Sequence, residues 1–313
     1  MPSLSDIKQV NATYKPAVKD AVAVFFGGTS GIGKETAYMF AKKFDSPTVI
    51  IVGRSEEAGN KIVSDLKELK AKATFIQSDL SQMKEVVRVS DIVKQDVAKI
   101  NLLFLSQGIL STAGRTETPE GIELRMSLNY YGRWLAVKEL LPLVQKAYDD
   151  GDKDNARVMT VLAPGNEGPY VEDDMQLRKK FSMMNQNRHI VQFSSAAVMK
   201  FSREHPNLSF MHAHPGFVAT GIMRELPWYV RYPSAILMKT PWVISPADSG
   251  EKFFYMSASC PKFAHGAFLL NPACESIKEK PVSKGYLTEE HQDKIWKHTE
   301  EEFELALNGL NKA

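Results

Sequence analysis

The chain has 313 residues, 43% hydrophobic and 24% charged, with 39 basic and 37 acidic side chains and a formal charge of +2. That balance suits a globular protein with ample core and excludes the basic footprint of a nucleic-acid binder. Two cysteines, Cys260 and Cys274, exclude a disulfide framework and read as reduced thiols of a cytoplasmic protein.

Residues 1–18 read as a polar N-terminal extension without the apolar core of a secretion signal. No uncharged apolar run reaches the ~20 residues of a membrane span. The apolar run Ala21–Phe26 predicts a strand, and it enters Gly27-Gly28-Thr29-Ser30-Gly31-Ile32-Gly33 before a helical pattern from Lys34 to Phe44. Strand, tight turn and helix N-terminus make an anion site, because the first helical N–H groups are unpaired and the dipole favours negative charge. Gly27, Gly31 and Gly33, spaced Gly-x-x-x-Gly-x-Gly, let a pyrophosphate approach the backbone, with Thr29, Ser30 and Ile32 in the same turn.

The next strand, Thr48–Val52, ends in Gly53-Arg54-Ser55. NAD sites of this type place a carboxylate there for the ribose 2′-hydroxyl, whereas a guanidinium grips a 2′-phosphate. Arg54 therefore predicts NADP(H), and Glu56 and Glu57 read as first-turn acids that suit a helix dipole. The pattern continues with helix Ser55–Lys70, strand Ala73–Gln77, helix Ser81–Ala98 and strand Asn101–Leu105. A long helix, Gly121–Lys146, follows, with Pro142 expected to end or kink it. Strand Arg157–Leu162, helix Ser182–His205, strand Leu208–Ala213, helix Pro246–Ser259, strand Ala267–Asn271 and helix Glu289–Leu307 complete the chain.

This alternation predicts an α/β protein: a single Rossmann-type doubly wound parallel sheet of about seven strands with helices on both faces. No Gly/Pro/Ser-rich linker divides it, so residues 1–313 read as one domain. Segment 219–245 carries Pro227, Trp228, Tyr229, Tyr232, Pro233, Pro241 and Trp242 just after a strand's carboxyl end. It reads as a lid over a small apolar substrate or as a packing or oligomer surface. The long helix 121–146 offers a homodimer face or packs its apolar residues on the sheet.

Five motif positions, in order, resemble the short-chain dehydrogenase/reductase family over residues 19–270. The glycine turn is one, with Phe26 where the family has Thr. Asp79-Leu80 is similar to the family's adenine-contacting pair, and Gly108 in Leu105-Ser106-Gln107-Gly108 is what remains of its Asn-Asn-Ala-Gly, beside the nicotinamide-side ribose. Asn129 matches the structural and catalytic Asn of the long helix. Pro215, Gly216, Val218 and Thr220 match the loop around the nicotinamide end. More narrowly, Leu105-Ser106-Gln107-Gly108-Ile109-Leu110, Glu117-Thr118-Pro119-Glu120-Gly121 and Trp296-Lys297-His298-Thr299-Glu300 resemble fungal members associated with secondary metabolism.

The resemblance implies a Ser at the end of the fifth strand and a Tyr-x-x-x-Lys on the following helix. A lysine one turn from a tyrosine lowers the phenol pKa. None of the three is present. The Ser position falls at Leu162 or Ala163, the Tyr near Asn185–Asn187 and the Lys near His189–Val191. The Tyr38–Lys42 pair lies on the first helix and reads as surface packing. His189 is a candidate proton donor or a structural histidine. Asn185 and Asn187 are candidates to orient a carbonyl, and Arg188 to hold a carboxylate or ribose oxygen. His212 and His214 share a strand face but lack a third ligand, so no metal is expected. Three functions stay open: an NADP(H)-dependent oxidoreductase with an atypical proton donor, a non-redox cyclase, isomerase or dehydratase, and an NADP(H)-sensing protein.

Overall fold

The computed structural model describes residues 2–219 and 243–309. Seven strands form one sheet in the order β3-β2-β1-β4-β5-β6-β7. They are β1 (Val22–Phe26), β2 (Thr48–Gly53), β3 (Lys72–Gln77), β4 (Leu102–Leu105), β5 (Arg157–Val161), β6 (Ser209–Ala213) and β7 (Gly266–Leu270). Every pairing is parallel. The strand order reverses between β1 and β4, which opens a crevice at their carboxyl ends.

Alternation along β1 shows why both sheet faces must be covered. Val22, Val24 and Phe26 enter one apolar core, and Ala23 and Phe25 enter the other. Both cores are closed by helices: α2 (Gly31–Lys43), α3 (Glu56–Glu68), α4 (Met83–Asp96), α5 (Gly132–Asp149), α6 (Met183–Glu204), α7 (Pro246–Phe254) and α8 (Glu289–Asn308). Strands buried on both sides read as continuous apolar runs for this reason.

Three local features depart from the sequence reading. The N-terminal extension contains a helix, α1 (Leu4–Thr13), started by a Ser3/Asp6 capping box. Its buried Asn11 donates to the Glu251 carbonyl at 2.9 Å and accepts from Ser259 Oγ at 2.5 Å, which ties the extension to the body. Pro142 does not end α5, which runs through to Asp149. Both Pro142 and Lys138, whose carbonyl loses its partner, are exposed, so water can take that bond. The predicted single helix 121–146 begins instead as a turn at Leu124–Met126 and a wide π turn at Ser127–Tyr131 that leads into α5. Thr220 and nearly all of the lid segment 219–245 lie outside the described residues. Its two flanks are bridged, with Ile244 N–H donating to the Phe217 carbonyl at 2.9 Å.

Candidate active site

A cavity of about 1440 Å³ runs along the carboxyl ends of the strands, from Arg54 after β2 to Tyr286 beyond β6. Small-molecule sites typically enclose ~300–1,000 Å³, so this one has room for a dinucleotide and a second ligand.

The glycine turn forms its middle. Gly27 has φ +89°, and a Cβ there would sit 2.3 Å from the Gln107 backbone nitrogen. A Cβ at Gly33 would meet Ser106 Oγ at 2.6 Å. The turn is thus pressed against the β4 loop, and only hydrogen side chains fit. Ser30 precedes α2 without capping it, so the helix keeps free N–H groups at the cavity. Gly27, Thr29, Ser30, Gly31, Ile32 and Gly33 all line the wall.

Toward β2 and β3 the wall carries Arg54, whose guanidinium is exposed and has no partner among the described residues. Ser55 caps α3, which places Glu56 and Glu57 in its first turn and away from the cavity. Leu80 and Ser78 line the wall, but Asp79 does not. Its Oδ1 accepts from the Ser81 N–H at 3.1 Å and from Ser81 Oγ at 2.9 Å, so this carboxylate caps a turn.

Toward β4, β5 and β6 the wall changes character. The π turn swings Asn129 against the β4 loop, where its Oδ1 accepts from the Ile109 N–H at 2.9 Å and its Nδ2 donates to the Ile109 carbonyl at 3.1 Å. Asn129 therefore positions Gly108 and its neighbours. Gln107 is 6% exposed and lines the wall, yet neither atom of its carboxamide has a partner. Leu162 and Ala163 stand where β5 would offer a serine, and neither carries a hydroxyl. Thr160 is turned away, with Oγ1 accepting from Arg133 Nη1 at 2.9 Å. On α6 the cavity is faced by Met183, Met184, Asn187, Arg188, Ile190 and Val191, of which Asn187 and Val191, one turn apart, fall within the stretches expected for the Tyr and the Lys.

The structure does not bring His189 or Asn185 to the cavity. His189 is fully buried on the other side of α6. Its Nε2 accepts from the Val171 N–H at 2.9 Å, and its Nδ1 faces the Met175 carbonyl at 3.2 Å. Both nitrogens are therefore used, and burial pushes the imidazole down to about 4. It cannot reach a substrate, and its bonds pin the segment before α6. Asn185 Nδ2 donates to the Lys180 carbonyl at 3.0 Å in a local turn. Arg188 lines the wall beside Gly168. Pro215 and His214 line it too, whereas Gly216 and Val218 stand behind.

Three features were missed in the sequence. The first is Arg133, fully buried at the cavity wall and held by neutral acceptors. A basic residue inside an apolar helix was the available signal. The second is Glu167, whose Oε2 accepts from the Gly165 N–H at 2.8 Å and whose Oε1 accepts from Ser195 Oγ at 2.7 Å. Ser195 Oγ lies 2.9 Å from His212 Nδ1. Its proton is spent on Glu167, so His212 Nδ1–H donates into Ser195. His212 Nε2 is buried and unpartnered, and desolvation together with the Arg133 charge holds the ring neutral. Glu167 is the sole carboxylate among the described residues of the cavity wall. It was invisible in sequence because loop, helix and strand meet only in the fold. The third is Tyr286, from the segment before α8.

Residues 21–161 match the family model for short chain dehydrogenase. The chain is 30% identical to "Oxidoreductase AN1596" of Emericella nidulans over 98% of this chain and all of that one. It is 27% identical to "Oxidoreductase andH" of Emericella variicolor across the full length of both. Among solved structures, the Pseudomonas aeruginosa RhlG/NADP active-site complex superposes with a TM-score of 0.60 at 17% identity, covering 82% of this chain and 97% of that one. At that identity the likeness speaks for the fold.

Proposed function

The chain belongs to the short-chain dehydrogenase family, and we propose that it is an NADP(H)-dependent reductase of a small, largely apolar metabolite. The observation that carries this reading is the cavity's continuity from an unpaired Arg54, across a glycine turn that no side chain could enter, to an unpartnered Gln107 amide. Each part fits a piece of the cofactor. Arg54 would take the 2′-phosphate and the free N–H groups of α2 the pyrophosphate. The Gln107 carboxamide, costly to bury unpaired, would take ribose hydroxyls. Resemblance to fungal members of secondary metabolism supports a substrate of that kind.

A bound reduced nicotinamide supplies a hydride. The chain's own residues must orient the acceptor, exclude water and deliver a proton. Ile109, Leu110, Met183 and Met184 give the substrate end apolar walls. Proton exchange falls to Glu167, oriented by Ser195 and, behind it, His212; both its oxygens accept hydrogen bonds, so it acts as the base and must take up a proton from solvent before it can deliver one. The same carboxylate would serve as the base of an isomerase or dehydratase, which keeps the non-redox reading as the second one. Incubation of cell metabolites with the protein and NADPH deuterated at C4 separates the two: deuterium in a product supports reduction, and a product without deuterium favours the alternative.

NADPH titration followed by tryptophan fluorescence tests the cofactor. Tighter binding of NADPH than NADH, by roughly tenfold or more, is expected, and Arg54→Gln should remove most of that difference, in line with the ~1.5–3 kcal/mol of a charged hydrogen bond. Failure of the protein to bind either cofactor would overturn the proposal.

A further inference from the structure

Arg133 is 1% exposed, yet it lines the cavity. A guanidinium has five N–H donors. Arg133 Nε donates to the Gln107 carbonyl at 3.0 Å, and Nη2 donates to the same oxygen. Nη1 donates to Thr160 Oγ1 at 2.9 Å and to the Val161 carbonyl at 2.6 Å. One Nη2 hydrogen is left over, and Nη2 lies 3.2 Å from where a Cβ on Gly108 would stand, at the cavity wall.

Every group holding this cation is neutral. The acceptors come from the β4 loop and from β5, and the histidine nearest on β6, His212, is itself kept neutral. Glu167, the carboxylate of the wall, has its oxygens engaged by Ser195 and Gly165. Desolvation is the one cause acting on the guanidinium, pushing it down to about 9, so it stays charged at neutral pH. Among the described residues no counter-ion meets this buried charge, an arrangement that is costly because nothing offsets its desolvation but neutral acceptors.

Its place in the cavity says what the charge acts on. In a doubly wound sheet a dinucleotide crosses the switch point, with the 2′-phosphate-bearing half over β2 and the other half over β4 and β5. Arg133 is fastened to the β4 loop and β5, where the nicotinamide half would lie. The oxidised ring is a cation and the reduced ring is uncharged. Resting on the cofactor assignment above, we infer that the buried guanidinium of Arg133 selects the reduced ring, so that the protein holds NADPH more tightly than NADP⁺. Binding is thereby biased toward the form that donates hydride, and product NADP⁺ is pushed out.

The test needs no substrate. Dissociation constants for NADPH and NADP⁺ are measured by calorimetry on the intact protein. NADPH should bind about tenfold tighter, a difference of ~1.4 kcal/mol, which unit charges in a partly buried site readily exert. The preference should survive 0.5 M salt, because a buried charge is poorly screened. Arg133→Lys, which keeps the charge, should retain the ratio, and Arg133→Met should bring it near one. Arg54→Gln should weaken both forms in step, since the phosphate is common to them. Equal affinity for the two forms in the unmodified protein overturns the inference, even if Arg133→Met fails to fold, and so does an unchanged ratio in a folded Arg133→Met. Absence of binding by either form overturns the cofactor assignment instead.

Discussion

Over β1 and β2 the cavity is lined by main chain: Gly27, Gly31, Gly33 and the first turn of α2, with Arg54 the one ionic group among the described residues. Over β4, β5 and α6 it is lined by side chains: Gln107, Arg133, Glu167 and Asn187. The first region works through backbone geometry, which tolerates almost no substitution. The second works through functional groups, which can be exchanged as long as some donor, acceptor and charge remain. The glycines are kept while Ser, Tyr and Lys are absent from the expected positions, so the two regions vary independently.

The largest effect should come from the backbone side. Gly27→Ala demands a φ of +89° from a residue with a Cβ and drives that atom to 2.3 Å from the Gln107 nitrogen. The β4 loop must move, and Gln107, Gly108 and the Arg133 anchor move with it. NADPH affinity should fall by more than about a hundredfold, since each ~1.4 kcal/mol of displaced geometry is worth a factor of ten. Wild-type affinity in Gly27→Ala would show that the turn does not bear on the cofactor.

On the side-chain half, Glu167→Gln keeps size and one of the two accepted hydrogen bonds but cannot exchange a proton. Turnover should drop by ~10²–10⁴, the usual worth of a general acid or base. NADPH affinity should stay within about twofold. Ser195→Ala should cost less, roughly tenfold, because it releases the carboxylate without removing it, worth about one hydrogen bond to a charged group. Loss of affinity in proportion to turnover would make Glu167 a cofactor contact and leave proton delivery to another group.

The same division governs what could be read from sequence. The sheet, the glycine turn and the Arg54 position follow from apolar runs and glycine spacing, which are local patterns. The gap at Ala163 and Asn185–Val191 was legible too, as an absence. The cluster of Glu167, Ser195 and His212 was not. Glu167, Ser195 and His212 are separated by up to 45 residues (167 to 212) and meet only when α6 packs on β5 and β6. Arg133 hides inside an apolar helix, where its burial is decided by neighbours distant in sequence. His189 and Asp79 lay within their expected windows, yet each turns its polar atoms to nearby backbone or a neighbouring serine.

His189 gives the smallest expected effect on turnover and the sharpest contrast with Glu167. Its folded pKa lies near 4 against an ordinary 6.5, so the fold holds the neutral ring. Below pH 6.5 the unfolded chain takes up a proton that the folded chain refuses. Stability from this group is therefore complete above about pH 6.5 and is lost as the pH falls toward 4, by up to ~3 kcal/mol at ~1.4 kcal/mol per pH unit. His298 is depressed to about 4 as well, so it contributes a parallel slope that survives in a His189 variant. His189→Gln should lower Tm at pH 7, since the Val171 N–H loses a well-placed acceptor worth ~1–3 kcal/mol. It should also flatten the decline of Tm between pH 6.5 and 4 only in part, by about a third or less, because His298, His212 and His214 are held toward the neutral form as well. Turnover at pH 7.5 should stay within about twofold, because a group with both nitrogens committed to backbone has no proton to offer a substrate. A drop comparable to that of Glu167→Gln would return His189 to the catalytic half of the cavity.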